Sequence, residues 1–310
     1  MSTQAVILTD GKAGHENQSR ACARALGFDR DVRLIPVRFR SRFCKALSYL
    51  LDHLGLRVTW LLDMEVPRLP MGTVIVGTGS GTFYAVKALA HRCVGKSAVV
   101  LYPRGYHLPS FDVIFAPAFD NPLPAANVIT IPANLVANDE AFYAEGVKAF
   151  EARHTPKPGV EKVGVIIGGP NKCSSMTKGW AHQKLSQIFS AHKGAEFWLT
   201  TSRRTPPEVE AVVESFPWDY ALVYSKDHFN PIPAFVKLCD RLYVSAESTG
   251  MISEACTFGS AQVRVMDNLN PGPHKFRRFV ENLAAGGYVG GTRKVDLSRE
   301  FASARRLLGL

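Results

Sequence analysis

No run of about 18 apolar residues occurs anywhere in the sequence, so no segment reads as a membrane-spanning helix. The opening MSTQAVILTDGKAGHENQ turns polar within ten residues and lacks the basic stretch and cleavage pattern of a secretory leader. The chain therefore reads as cytoplasmic. Cysteine is scarce and scattered: Cys22, Cys44, Cys93, Cys173, Cys239 and Cys256 form no C-x-x-C pair. That excludes a zinc ribbon and a disulfide framework, and leaves reduced, mostly buried thiols. The nine histidines show no H-E-x-x-H and no metal-ligand spacing, so metal-dependent hydrolysis is disfavoured and no metal is expected. There is no G-x-x-x-x-G-K-[ST] phosphate loop and no G-x-S-x-G nucleophile elbow. No Tyr is followed four residues later by Lys, which removes the catalytic pair expected of a short-chain epimerase or reductase. The stretch GTGSGT (77–82) imitates a dinucleotide fingerprint, but Thr82 replaces its third glycine and it does not follow the first strand. Nicotinamide chemistry is disfavoured, and no cofactor is expected. No internal repeat or low-complexity segment is present.

What is present is an ordinary folded composition, 46% hydrophobic and 21% charged, in 310 residues, a length for two domains or one large one. Lys and Arg number 37 against 27 Asp and Glu, a net charge of +10 that favours an anionic partner. No nucleic-acid-binding module is recognisable, so a nucleic acid ranks low among such partners.

Short β-rich apolar runs alternate with helical stretches. The first half offers strands at 5–10, 32–37, 73–77, 97–102, 112–116 and 127–131, with helices at 16–27 and 81–91. The Pro-bearing ARHTPKPG (152–159) reads as a linker. The rhythm then restarts, with strands at 162–167, 196–201, 220–225, 241–245 and 261–265. Helices fit 175–192, 207–215, 232–239, 249–258 and 274–284, and an amphipathic helix fits 297–310. Such alternation predicts parallel sheets with crossover helices. The expected fold class is α/β: two Rossmann-like, doubly wound parallel-sheet domains facing a cleft. Their expected bounds are 1–155 and 160–296, with helix 297–310 free to pack back on the first. Ligands of such sheets bind beyond the carboxyl ends of the strands, so the loops there are the places to read.

Four loops carry polar chemistry. In DGKAGHENQSRA (10–21), Gly11 and Gly14 allow a sharp turn, and a helix begins near His15 with Glu16, Asn17 and Gln18 in its first turn. His15, whose ordinary pKa near about 6.5 suits proton transfer, is the candidate general base, with Asp10 as the alternative. The bland reading is a helix cap. In VGTGSGTFYA (76–85), Thr78, Gly79, Ser80 and Gly81 suit close approach to a ligand or, equally, a tight strand-to-helix turn. In IIGGPNKCSSMT (166–177), Gly168, Gly169 and Asn171 predict a flexible loop with free N–H groups. After the next strand, TTSRRTPPE (200–208) brings Thr201, Ser202, Arg203 and Arg204, whose hydroxyls and guanidinium groups suit phosphate oxygens unless the arginines are a solvated surface pair. In SAESTGMISEACTFG (245–259), Ser245, Ser248 and Thr249 lead into a helix carrying Met251, Ile252 and Glu254. Hydroxyls at a helix start fit a phosphate, and Glu254 is either a ribose-binding carboxylate or a surface residue. Asn230, before Pro231, marks a further ligand-side turn.

The segment 37–64 is the most unusual. Arg38, Arg40, Arg42, Lys45 and Arg57 are interleaved with Phe, Leu, Tyr and Trp. It reads as a basic amphipathic helix lying on an anionic membrane, or as a core helix with a solvated basic edge.

The loops at 10–15, 167–171 and 245–259, in that order, resemble those of two-Rossmann, B-type glycosyltransferases, among them the membrane-associated N-acetylglucosaminyltransferase of peptidoglycan synthesis. Asp10 stands where that pattern has its first glycine, and Gly-Gly-Pro-Asn replaces its Gly-Gly-Ser. More closely, DGKAGHENQ (10–18), TSRRTP (201–206), DHFNP (227–231) and the MISEA of 251–255 resemble the bacterial branch of the mitochondrial-fission Elm family across nearly the whole chain. The resemblance implies a GT-B-like fold and a glycosyltransferase working without a metal. Gly168, Gly169, Asn171, Thr201, Ser202, Arg203, Arg204, Ser245, Ser248, Thr249, Met251, Ile252 and Glu254 would then form a nucleotide-sugar donor site. Gly11, Gly14, Asn17, Gln18, Thr78, Gly79, Ser80, Gly81 and Asn230 would serve the acceptor or cleft side. The acceptor would be anionic, lipid-linked or part of the cell envelope, reached at the inner face of the membrane through 37–64. The rivals are a non-catalytic adaptor of the same family and, more weakly, a nucleoside-diphosphate-sugar epimerase.

Overall fold

The computed structural model describes residues 4–28 and 32–310. Met1–Thr3, part of the opening read as leader-free, lie outside them. The chain forms two compact units: 1–137 with 296–310, and 138–295.

The first unit begins with β1 (Ala5–Thr9), α1 (Ala13–Ala25), β2 (Arg33–Pro36), β3 (Arg38–Phe39), α2 (Arg42–His53) and β4 (Leu62–Asp63). It continues through β5 (Val74–Thr78), α3 (Phe83–Arg92), β6 (Lys96–Val100), β7 (Val113–Pro117) and β8 (Val128–Ile131). Six strands pair in parallel in the order β2-β1-β5-β6-β7-β8. β1, β5 and β7 are buried along their whole length, as continuous apolar runs must be when helices cover both faces. One core packs Val6, Leu8, Ile75 and Val99 against Tyr84 and Leu89, and the other packs Ile7, Val76 and Phe115 against Cys22 and Leu26.

The second unit runs through α4 (Glu140–Glu151), β9 (Lys162–Ile166), α5 (Lys178–Ala191), β10 (Glu196–Thr200), α6 (Pro207–Val213) and β11 (Tyr220–Leu222). It ends with α7 (Ile232–Leu238), β12 (Arg241–Ser245), α8 (Thr249–Phe258), β13 (Gln262–Met266) and α9 (Lys275–Ala285). Its sheet is parallel, in the order β11-β10-β9-β12-β13. Helix α10 (Ser298–Leu308) returns to the first unit, where Phe301 packs on Phe115 with ring centroids 4.8 Å apart.

Three sequence expectations need correction. The chain leaves the first unit at Ala137–Asn138, not within 152–159. α4 belongs to the second unit: Gly146 lies so close to Pro233 that a Cβ there would sit 2.4 Å from its ring, and Phe150 packs on Trp198. The Pro-bearing stretch after it is tied down within that unit, because buried Glu196 accepts from the Lys157 N–H at 2.8 Å and bonds His154 Nε2 at 2.6 Å. The segment 37–64 is not one helix. α2 covers only Arg42–His53, begun by Ser41 Oγ accepting from the Cys44 N–H, and the flanks pair as the antiparallel β3 and β4. The first helix also starts earlier than expected, at Ala13 rather than near His15.

Candidate functional site

A parallel sheet has a crevice where its strand order reverses, because the loops leaving the two adjacent strands turn to opposite faces. In the first unit the reversal falls between β1 and β5. The loops there are 10–14 and 79–82, two of the four singled out by sequence. In the second unit it falls between β9 and β12, with loops 167–171 and 246–248, which carry the other glycine pair and the serine-rich block.

At the first reversal, Gly11 adopts φ +78° and its N–H donates to Thr9 Oγ1 at 3.1 Å, turning the chain into α1. His15 Nδ1 lies 3.1 and 3.0 Å from the two Asp10 oxygens. Burial pushes the Asp10 carboxyl up, but hydrogen bonds and charge from Lys12 and His15 outweigh it and hold it below the usual range. Asp10 is then an acceptor at neutral pH and takes its hydrogen bond from Nδ1, which leaves Nε2 without a bond to Asp10. The β5 loop closes over this pair. A Cβ on Gly79 (φ +83°) would meet His15 Cε1 at 2.5 Å, and one on Gly81 would meet Asp10 Cβ at 2.8 Å. Here glycine is required by the close approach to the His15 and Asp10 side chains. Lys45 Nζ reaches Ser80 Oγ at 3.0 Å. A pocket of about 570 Å³ adjoins Asp10, lined by Thr9, Gly11, Val37, Arg38, Asp63 and Glu65. Gln18 Oε1 is a buried oxygen without a hydrogen-bond partner. Thr78 instead bonds Ser19 Oγ at 2.7 Å and ties β5 to α1. Gly14 and Asn17 are exposed in the first turns of α1.

The second reversal is built around Glu247. Its Oε1 accepts from the Gly169 N–H at 2.9 Å, from Ser245 Oγ at 3.0 Å and from Ser248 Oγ at 2.9 Å, and its Oε2 accepts from Asn268 Nδ2 at 2.8 Å. The Gly168 N–H donates to Ser245 Oγ at 2.8 Å. The expected flexible loop with free N–H groups is therefore corrected: both glycine N–H groups turn inward. A Cβ at Gly168 would lie 2.0 Å from Glu247 Oε1, and one at Gly169 would lie 2.3 Å from Arg204 Cβ. The close approach these glycines permit is to the protein's own side chains. Thr205 Oγ1 adds a bond to the Gly168 carbonyl at 2.6 Å, and Ser202 Oγ accepts from the Arg204 N–H at 3.2 Å. Thr201 Oγ1 is spent between Glu210 and the Tyr224 N–H. Asn171 closes its own turn, its Oδ1 accepting from the Cys173 N–H at 2.7 Å.

Because Ser248 donates to Glu247, it does not cap α8 with its side chain. The first-turn N–H groups at Thr249, Gly250 and Met251 keep their positive end for another acceptor. Ile252 is buried in the core, whereas Arg203 and Arg204 are exposed. Glu254, one turn on, accepts from Tyr143 Oη at 2.9 Å and Asn138 Nδ2 at 3.2 Å, both through Oε1. Burial raises its pKa, and those two bonds offset part of the rise. Asn230 Oδ1 accepts from the Ile232 N–H at 3.2 Å, beyond the edge strand β11 and away from the reversal.

Glu247 is the residue that sequence reasoning passed over. Its signal was an acid set among small residues at a strand end, in the same unit as a glycine pair. Lys45 was noticed for its charge and not for its reach to Ser80. Among the described residues, no group of three or more His, Cys, Asp or Glu side chains could hold a metal ion.

The family model described as mitochondrial fission ELM1 matches residues 13–303. The chain belongs to that family. No curated protein matches this ELM1-family chain. Among solved structures it is similar to the UDP-GlcNAc 2-epimerase of Methanocaldococcus jannaschii, with 11% identity, TM-score 0.53, and 99% of each chain covered. It is also similar to the UDP-GlcNAc 2-epimerase of Neisseria meningitidis bound to UDP-GlcNAc, with 11% identity, TM-score 0.50, and 100% of this chain and 98% of that one covered. These likenesses agree with the two Rossmann-like units described above.

Proposed function

We propose that the chain is a glycosyltransferase that moves a sugar from a nucleotide-sugar donor to an anionic or lipid-linked acceptor. The observation that carries this reading is the Asp10–His15 pair at the first reversal, beside a pocket of about 570 Å³. Asp10 holds the tautomer, and His15 Nε2 takes the proton from the acceptor hydroxyl as that oxygen attacks the sugar carbon. The acceptor hydroxyl enters the pocket beside Asp10. The donor belongs to the second unit. The start of α8 receives the diphosphate, with Arg203 and Arg204 as further positive charge, and Glu254 Oε2 accepts from ribose hydroxyls. Those charges neutralise the nucleoside diphosphate as it leaves, the task a divalent metal performs elsewhere. Gly168, Gly169 and Ser245 serve the site through Glu247, by fixing the loop.

A second reading has its own support. The full-length likeness includes a structure holding UDP-GlcNAc, which suits an epimerase acting on a nucleotide sugar. The absent Tyr-x-x-x-Lys pair bears only on short-chain enzymes.

A thermal-shift screen against UDP, GDP, CMP, ADP, dTDP and NAD, with EDTA and with magnesium, tests the proposal. A ligand at a hundredfold excess over its Kd adds about 2.7 kcal/mol of stability. The expected result is a response to one nucleotide in EDTA. Silence to all of them returns the chain to the adaptor reading. A response followed by conversion of the sugar without an acceptor selects the epimerase, whereas conversion only with an acceptor selects the transferase.

A further inference from the structure

Helix α2 buries Ser48 and Asp52, both at most 1% exposed, with Cys44, Leu47 and Leu51 packed beside them on the core, and it carries Phe43 (72% exposed), Leu50 and, just past its end, Leu54 (64%) outward. The spacings of seven and four residues put those three on one stripe. The helix is apolar on both sides, and an ordinary surface helix would be polar on this one.

That orientation is fixed by strong polar anchors. Asp52 accepts from Lys87 Nζ at 2.8 Å and from the His107 N–H at 2.7 Å, and pairs with Arg57 Nη1 at 3.1 Å. Ser48 Oγ bonds Tyr106 Oη at 3.0 Å. Rolling the helix to hide Leu50 and Leu54 would strand a buried lysine and a buried carboxylate and expose Leu47 and Leu51 in exchange. The connection after α2 is equally held: Tyr84 Oη donates to the Leu56 carbonyl and accepts from the Val58 N–H, both at 3.1 Å. That connection presents Leu56 and Trp60 (56% exposed) to solvent, with Trp60 beside His91 and Arg92 around a hollow of about 420 Å³. Arg40 and Arg42 are exposed at the start of α2, and Arg92 is exposed at the end of α3 beside Trp60. Arg38 is exposed too and pairs with Asp63 at 3.4 Å.

We propose that this face docks on an anionic lipid bilayer, with Phe43, Leu50 and Leu54 entering the acyl boundary, Trp60 at the headgroup level and the arginines on lipid phosphates. Apolar side chains ringed by guanidinium groups, with tryptophan at the margin, complement such an interface. A second copy fits less well, because a two-fold contact presses the same basic patch against itself. The inference stands apart from the transfer reading, since none of these residues is assigned to the nucleotide.

The test is binding of the whole chain to vesicles of phosphatidylcholine, with and without phosphatidylglycerol, read by co-sedimentation and by the emission of Trp60, with Trp60→Phe as reference. Binding is expected to the anionic vesicles and to weaken as salt rises. Phe43→Ser or Leu50→Ser, each at an exposed position, is expected to cost about tenfold in partitioning. Arg40→Gln with Arg42→Gln is expected to flatten the salt dependence. Equal binding to neutral vesicles, or none to either, overturns the proposal. So does a dimer in solution that Leu50→Glu converts to a monomer. Unchanged nucleotide affinity in these variants separates a failure here from a failure of the transfer reading.

Discussion

At the carboxyl end of β1, polar groups are left with capacity to spare: His15 keeps Nε2, Gln18 Oε1 has no partner, and a pocket opens beside Asp10. At the carboxyl end of β9 the same kind of glycine loop is sealed, with both carboxylate oxygens of Glu247 taken up by four donors of the protein itself. Glycine serves both places, but at Gly79 it lets backbone lie over an imidazole, and at Gly168 it lets backbone lie against a buried carboxylate. One reversal point leaves an imidazole nitrogen and a pocket open. The other is arranged to be rigid, and by drawing Ser248 away from α8 it leaves that helix start open. A satisfied buried network specifies geometry, and an unsatisfied group invites a ligand.

The contrast breaks most sharply at its two centres. Glu247→Ala strands the Gly169 N–H and three side-chain donors, and is expected to cost about 3–5 kcal/mol in urea denaturation. His15→Gln should move stability by no more than about 1 kcal/mol while lowering turnover by about 10²–10⁴-fold. A His15 variant that unfolds as readily as the Glu247 variant would erase the distinction.

A smaller effect sharpens it within the second unit. Gly168→Ala drives a methyl into Glu247 and should cost about 1–3 kcal/mol by chemical denaturation. At Gly250, a new Cβ has nothing within 4 Å, so Gly250→Ala should be neutral or stabilising by up to about 1 kcal/mol.

The smallest effect is in the acid limb. Asp10 has its carboxyl held below the ordinary 3.8, so it adds stability above that value and loses it as pH falls through the lower folded pKa. Asp10→Asn should flatten the stability profile below about pH 4, which denaturation midpoints measured across pH 2–6 would reveal.

Much of this frame is legible in the sequence, for a physical reason. Strands buried on both faces must be continuous apolar runs, so AVILT and VIVGT announce themselves, and the polar residues that follow them mark the loops. The Asp10–His15 loop is legible because its groups are near in sequence. The role of Glu247 is not, since its meaning lies in the Gly169 N–H 78 residues away and in one helix cap it removes. The unit boundary is hidden because prolines in 152–159 signal a break in secondary structure, which Glu196 then fastens down. α2 misleads most. Its basic and apolar residues predict a long amphipathic helix, and only Lys87, in the next helix, reveals which side is in.

The proposed function divides the labour between the two reversal points, binding in the second unit and proton transfer in the first. Its most direct test is a calorimetric comparison of nucleotide affinity in the parent, His15→Gln and Glu254→Gln. The division predicts that His15→Gln binds the nucleotide as the parent does, whereas Glu254→Gln binds it about 10–100-fold more weakly, the loss expected for hydrogen bonds to a charged group. Nucleotide affinity lost in His15→Gln, or kept in Glu254→Gln, would contradict it.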